Sequence, residues 1–140
     1  MAITPQGYSH VRLTVRDIEV SRQFYDAVFA LPVAIDLPPD ADETDRATLA
    51  FLFGGVIYRL GDGLFGLRPA ADPDDLFDED RTGLDHLSFN VADRSDLDAA
   101  IVTLDGLGVD HGEIKDIGAG HILEFRDPDG IALELFAPAG

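Results

Sequence analysis

Gly7-Tyr8-Ser9-His10-Val11-Arg12-Leu13-Thr14-Val15-Arg16-Asp17 returns as Gly83-Leu84-Asp85-His86-Leu87-Ser88-Phe89-Asn90-Val91-Ala92-Asp93. Glycine, histidine, valine and aspartate recur at one offset of 76 (83 − 7), and the same offset carries Leu31-Pro32-Val33 onto Leu107-Gly108-Val109. Self-similarity of this kind marks a repeated structural unit. The chain therefore reads as two copies of one unit, each opening with a histidine on a strand. Two histidines at equivalent places in a duplicated fold are a candidate metal or substrate site.

Tyr8 to Val15 alternates, with Val11, Leu13 and Val15 on one side and His10, Arg12 and Thr14 on the other. That is the period of a half-buried strand. Asp17 is placed to cap a helix running to about Phe29, with Val20, Phe24 and Val28 on one face. Leu31 to Asp36 reads as a strand. The polar stretch from Pro38 to Asp45 reads as a mobile loop. Thr48 to Phe53, Val56 to Leu60 and Leu64 to Arg68 read as strands, and Asp62-Gly63 is a hairpin signal. The acidic stretch from about 70 to 82 is the expected linker, a solvated loop without a calcium-loop pattern. The second copy runs from Leu84 to Val91 as a strand, then a helix capped by Ser95 or Asp93 through Leu97, Ile101 and Leu104. Strands follow near Gly112 to Asp116, His121 to Phe125 and Ile131 to Phe136, the last two joined by the turn Asp127-Pro128-Asp129-Gly130.

The expected fold is α+β: tandem βαβββ repeats (about 7–69 and 83–138) forming a cupped mixed β-sheet with helices on the outer face. Val11, Leu13, Val15, Leu87, Phe89, Val91, Leu133 and Leu135 form the helix-covered side. His10, Arg12, Thr14, His86, Ser88, Asn90 and Glu134 form the polar, concave side. Glu134 alternates with Leu133 and Leu135, so its carboxylate is expected beside the two imidazoles. A 2-His-1-carboxylate set of His10, His86 and Glu134 suits Fe(II), Mn(II), Zn(II), Ni(II) or Co(II) and leaves positions open for substrate. Arg12 is a candidate to hold an anionic substrate group through paired hydrogen bonds, or else to pair with Glu134 or Asp85. His121 is a candidate acid or base, or a surface residue at a strand start. His111 reads as a surface residue and Phe24-Tyr25 as helix core.

Composition narrows the partners. The 140 residues carry a net charge of −17 and one lysine, Lys115, which makes nucleic acid and anionic membranes poor partners. Hydrophobic residues make up 46%, enough for a core, yet no apolar run approaches the ~20 residues of a membrane span. Cysteine is absent, which removes disulfides and thiolate ligands. Met1 to Pro5 has no export signature, so a cytoplasmic location is expected.

The two histidine-bearing strands, Phe24-Tyr25, and the Asp127-Pro128-Asp129-Gly130 turn followed by Glu134 resemble the vicinal oxygen chelate superfamily. That superfamily includes glyoxalase I, fosfomycin-resistance proteins, extradiol dioxygenases and bleomycin-binding proteins. The resemblance implies metal ligands from the first and last strand of each repeat, three of which map onto His10, His86 and Glu134. The fourth place falls on Leu67, within one residue of Gly66 or Arg68, and none of these ligates a divalent cation. This departure counts against glyoxalase I and methylmalonyl-CoA epimerase activity. Arg12 stands where the resemblance implies a threonine in fosfomycin thiol transferases. The extra histidine and tyrosine of extradiol dioxygenases are missing, so such a reaction would need His121 or Tyr58. The resemblance implies a homodimer as the default assembly. Two functions remain: a divalent-metal-dependent enzyme (dioxygenase, lyase, isomerase or transferase) on a small oxygen-rich molecule, or a metal-free protein that sequesters a natural product or drug. A metal-free remnant used for ligand sensing is a third.

Overall fold

A computed structural model describes all of residues 1–140. The chain divides into two compact units, Met1–Pro73 and Asp74–Gly140. Unit 1 runs β1 (His10–Thr14), α1 (Ile18–Val28), β2 (Val33–Ile35), α2 (Glu43–Thr48), a 3₁₀ turn (Ala50–Leu52), β3 (Val56–Leu60) and β4 (Gly63–Arg68). Unit 2 runs β5 (Leu87–Asn90), α3 (Arg94–Gly106), β6 (Lys115–Asp116), β7 (Gly120–Arg126) and β8 (Ala132–Pro138). Each unit is one four-stranded mixed sheet, ordered β1-β4-β3-β2 in the first and β5-β8-β7-β6 in the second. The α+β repeat βαβββ stands in both, with α2 and the 3₁₀ turn inserted in the first.

The helix caps follow from the aspartates at the repeat offset. Asp17 accepts from the backbone N–H of Glu19 and Val20, and Asp93 forms a capping box with Asp96. Each such cap stabilises its helix by about 1 kcal/mol. The buried face of α1 is Ser21 and Tyr25 rather than the expected Val20-Phe24-Val28 stripe, and Val20 is exposed. Tyr25 wins because its ring stacks on Phe29 and packs 5.3 Å from Phe65 of β4. In unit 2, Leu97 and Leu104 of α3 are buried together with Leu123, Phe125, Leu133 and Leu135. Leu13, Val15 and Phe89 occupy the helix-covered side as expected.

Two expectations in unit 1 need correction. The polar stretch is not simply a loop: Asp42 caps α2, and Asp45 returns the hydrogen bond. Thr48 to Phe53 is not a strand: it finishes α2 and forms the 3₁₀ turn, because Asp42 and Asp45 start a helix that the apolar residues then continue. The β3–β4 hairpin turns at Gly61-Asp62, with Leu60 paired to Gly63 and Gly61 at φ +56. Glycine at the first central position is what a type II′ turn requires.

In unit 2, the end of the linker is anchored rather than free. Phe77 N–H donates to the carbonyl of Asp129, and Arg126 binds both carboxylate oxygens of Glu79. That arginine holds the Glu79 carboxyl down at about 2. In the Asp127–Gly130 turn, Asp127 Oδ1 accepts from the N–H of Asp129 and Ile131, and Gly130 sits at φ +78.

Gly55 shows how tightly β3 and β4 approach. A Cβ there would lie 1.9 Å from the carbonyl oxygen of Leu67 and 2.9 Å from that of Leu52. Both are backbone atoms and cannot rotate away. Gly55→Ala is expected to lower unfolding free energy by about 3 kcal/mol, at the upper end of overpacking costs. Urea denaturation checks this, and an unchanged midpoint would contradict the close approach.

Candidate functional site

In unit 2, β5 pairs in parallel with β8, which sets Ser88 beside Glu134. Ser88 Oγ donates to Glu134 Oε1 at 2.7 Å. The other carboxylate oxygen, Oε2, lies 3.7 Å from His86 Nε2. His86 directly precedes β5, and its Nδ1 is 2.6 Å from Asp85 Oδ1. An ionised carboxylate can only accept, so Nδ1 carries a proton, and in the neutral ring Nε2 is left with its lone pair. Two donors 3.7 Å apart are close enough for bonds of about 2.1 Å each to meet on one ion. Within neither unit do three or more His, Cys, Asp or Glu side chains gather into a metal cluster.

Glu124, absent from the sequence expectation, stands directly across from Glu134 in the antiparallel β7–β8 pairing. Counting back from the Asp127–Gly130 turn would have found it. Like charges at facing positions repel. Here Lys115 Nζ bonds Glu124 Oε2 at 3.0 Å, while Ser88 and His86 engage Glu134. The hydrogen bond to Asp85 is the largest influence on His86, and it raises the imidazole pKa above 6.5 against a desolvation penalty. The charges of Glu134, Asp85 and Glu124 add to the rise.

In unit 1, His10 opens β1, and Ser9 Oγ lies 3.0 Å from its Nδ1. Ser9 and Asp85 are themselves one repeat offset apart, a signal visible in the sequence. Both imidazoles are thus engaged at Nδ1 by the residue before them. The parallel β1–β4 register sets Arg12 beside Gly66, as Ser88 sits beside Glu134. The place equivalent to Glu134 is therefore Gly66, one residue from the expected Leu67, which is fully buried in the core. Arg12 Nη2 donates to the carbonyl of Phe51 at 2.7 Å. Asp85 and Glu134, its alternative partners by sequence, are both engaged by His86. A cavity of about 230 Å³ is lined by His10, Val11, Arg12, Ile35, Phe51, Ile57, Leu64 and Gly66.

Two candidate acid–base groups lie elsewhere. His121 pairs with Ala137, on the face of Leu123 and Leu135, whereas Glu134 is on the opposite face of the same sheet. Its Nε2 is 3.9 Å from Asp116. Alternation along β7 decides this, since His121 shares the parity of Leu123. Tyr58 is buried beside Phe65 and donates to Asp26 at 2.7 Å. Burial, then Asp26, pushes the phenol well above its ordinary value. His111 bridges the Gly112 carbonyl and Asp105.

The family model described as Glyoxalase/Bleomycin resistance protein/Dioxygenase superfamily matches residues 7–135. Among solved structures, the chain is similar to a glyoxylase/bleomycin resistance protein/dioxygenase domain from Frankia sp. EAN1pec. Identity is 32%, the TM-score 0.76, and 97% of this chain and 100% of that one are covered. A glyoxalase/dioxygenase from Nostoc punctiforme is 22% identical at a TM-score of 0.75, covering 100% and 98%. A point mutant of the fosfomycin resistance protein FosX from Listeria monocytogenes, complexed with Mn(II) and 1S,2S-dihydroxypropylphosphonic acid, is 20% identical at a TM-score of 0.73, covering 97% and 95%. These last two likenesses show the fold alone. No curated protein matches the chain.

The His86 geometry has a pH consequence. Folding raises its pKa, so its contribution to stability is full below the unfolded value of about 6.5 and is lost as pH rises through the folded value. Imidazole proton shifts followed by NMR are expected to show His86 titrating above 6.5, and Asp85→Asn is expected to bring it down. An unchanged titration in Asp85→Asn would show that the Asp85 bond does not hold the ring.

Proposed function

The chain belongs to the Glyoxalase/Bleomycin resistance protein/Dioxygenase superfamily, and on that premise we propose that it is a divalent-metal-dependent enzyme acting on a small oxygen-rich molecule. His86 and Glu134 of unit 2 would be two ligands, and the resemblance supplies His10 as the third. The observation that carries this reading is the matched anchoring of the imidazoles. Asp85 accepts from Nδ1 of His86, and Ser9 Oγ lies against Nδ1 of His10, which keeps Nε2 of His10 open when the hydroxyl accepts. A partner on the second ring nitrogen is the usual support of a ligating histidine. Glu134 is supported the same way, one oxygen held by Ser88 and the other facing His86. The ion, one of Fe(II), Mn(II), Zn(II), Ni(II) or Co(II), would act as a Lewis acid on two substrate oxygens.

The protein's own groups then have distinct tasks. Ser88 and Asp85 fix the ligand orientations. Glu134 would have a second role as a base were its Oε2 not engaged by the ion. Glu124, across the strand pair and bonded to Lys115, is a second carboxylate at that face. Whether the reaction is that of a dioxygenase, lyase, isomerase or transferase is decided by the substrate and not by the fold. The same reading takes the working form as a cytoplasmic homodimer. The apolar cavity of unit 1 favours one second reading, metal-free sequestration of a small molecule.

Metal content separates the two. Tag-free protein loaded in turn with Fe(II), Mn(II), Zn(II), Ni(II) and Co(II) is expected to hold near-stoichiometric metal by mass spectrometry. His10→Ala and His86→Ala are each expected to lose it while keeping the wild-type circular dichroism. Asp85→Asn is expected to weaken metal affinity by about 10–100-fold through ligand orientation. No metal under any loading would overturn the enzyme mechanism and leave sequestration.

A further inference from the structure

The face of the unit 1 sheet that carries His10 and Arg12 is electropositive. Pairing sets Arg12 beside Gly66, Gly66 beside Ile57, Leu64 beside Arg59, and Thr14 beside Arg68. That face therefore holds Arg12, Arg59 and Arg68, and its strands place no Asp or Glu there. The chain as a whole has 27 acidic and 10 basic residues, so this local excess of cations runs against its composition. The equivalent face of unit 2 is mixed, with Glu124 and Glu134 alongside Lys115, which bonds Glu124, and Arg126, which binds Glu79.

Aromatic residues hold two of these arginines. The Arg12 guanidinium lies 6.0 Å from the ring centre of Phe51, and that of Arg68 lies 4.3 Å over the ring of Phe53. Phe53 is the single non-glycine residue with positive φ, at +53. A bulky side chain seldom adopts this conformation, and strain of this kind tends to cluster at ligand sites.

Arg12 is also left short of partners. Its Nε is buried with no hydrogen-bond partner. Burial first, and then the charge of Arg68, push its pKa down. Arginine nevertheless keeps its proton, so a cation without a carboxylate borders a mainly apolar cavity. A buried donor without an acceptor is costly, and the one hydrogen bond of this guanidinium goes to the Phe51 carbonyl, which leaves its charge unbalanced.

We propose that this cavity is an organic-anion subsite: Arg12 pairs with the carboxylate of a small ligand whose apolar body lies against Ile35, Ile57, Leu64 and Phe51. The cavity, at about 230 Å³, is below the ~300–1,000 Å³ of drug-sized sites, so the ligand is compact. A planar carboxylate matches the guanidinium fork. Gly66 makes room for the arginine, since a Cβ there would lie 3.0 Å from Arg12 Cγ. Every residue that contacts the ligand in this proposal belongs to unit 1; His10 borders the same cavity, so the test is made on metal-free protein.

The test uses full-length protein stripped of metal by chelation, with benzoate as probe and benzamide as its neutral counterpart, by isothermal titration calorimetry. Benzoate is expected to bind one site per chain, about tenfold or more tighter than benzamide. Arg12→Leu is expected to lose that preference, and Gly66→Ala to weaken benzoate by displacing the arginine stem. Arg46→Gln, which removes the same charge from exposed α2, is expected to bind like wild type. Circular dichroism and thermal midpoints establish that each variant is folded. Equal affinity for the two probes, unchanged benzoate affinity in folded Arg12→Leu, an equal loss in Arg46→Gln, or no benzoate binding would each overturn the proposal. Metal loading that succeeds or fails leaves these outcomes unchanged, so the two readings fail separately.

Discussion

Each unit depends on the parallel pairing of its first and last strands. In a parallel pair, neighbouring residues share a face, so one register decides every lateral partner of the site. In unit 2 it sets Ser88 against Glu134, and in unit 1 it sets Arg12 against Gly66. A slip of one residue in unit 2 would turn Glu134 into the core and bring Leu133 or Leu135 out to face the solvent. That slip is opposed by the burial of both leucines, each contributing about 1.5–3 kcal/mol. The site's geometry is thus enforced by the apolar side of the same strand.

Much of the architecture was legible because the repeat and the alternation are local signals. Asp17 and Asp93 announced their helices, and Leu13, Val15, Leu133 and Leu135 announced the core face. What escaped were features set by competition between signals. Thr48 to Phe53 has strand-like composition, but Asp42 and Asp45 supply a capping box just upstream, and helix nucleation there captured the stretch. The α1 stripe escaped because Tyr25 offers more buried surface than Val20, and its partner on the sheet, Phe65, is distant in sequence.

The candidate site divides in the same way. Alternation was enough to set Glu134 on the face of Ser88, and it equally set His121 on the other side. The Asp85 and Ser9 anchors were present in the repeat and needed only to be read one residue upstream of the histidines. The Leu67-for-Gly66 displacement came from aligning hairpin turns instead of strand pairs. Turn alignment carries an uncertainty of one residue, and in a strand one residue exchanges cup for core. Phe51 and Phe53 were beyond reach, since their roles depend on a 3₁₀ turn and a positive φ that composition does not encode.

The two copies have diverged in charge while keeping their backbone plan. Unit 2 retains a carboxylate at the place where unit 1 has glycine, and unit 1 has an arginine where unit 2 has Ser88. These two differences are physically coupled. A carboxylate at position 66 would need a Cβ where the Arg12 stem now packs. If the stem gave way, the carboxylate would stand beside a guanidinium and be drawn to it before any divalent ion. Conversely, shortening Arg12 to serine would open space and remove the competing cation, restoring the Ser-Glu arrangement seen in unit 2. The glycine in place of a carboxylate and the arginine beside it are therefore one coupled feature expressed at two adjacent positions. The first copy has its histidine, with an arginine and a glycine where the second has Ser88 and Glu134.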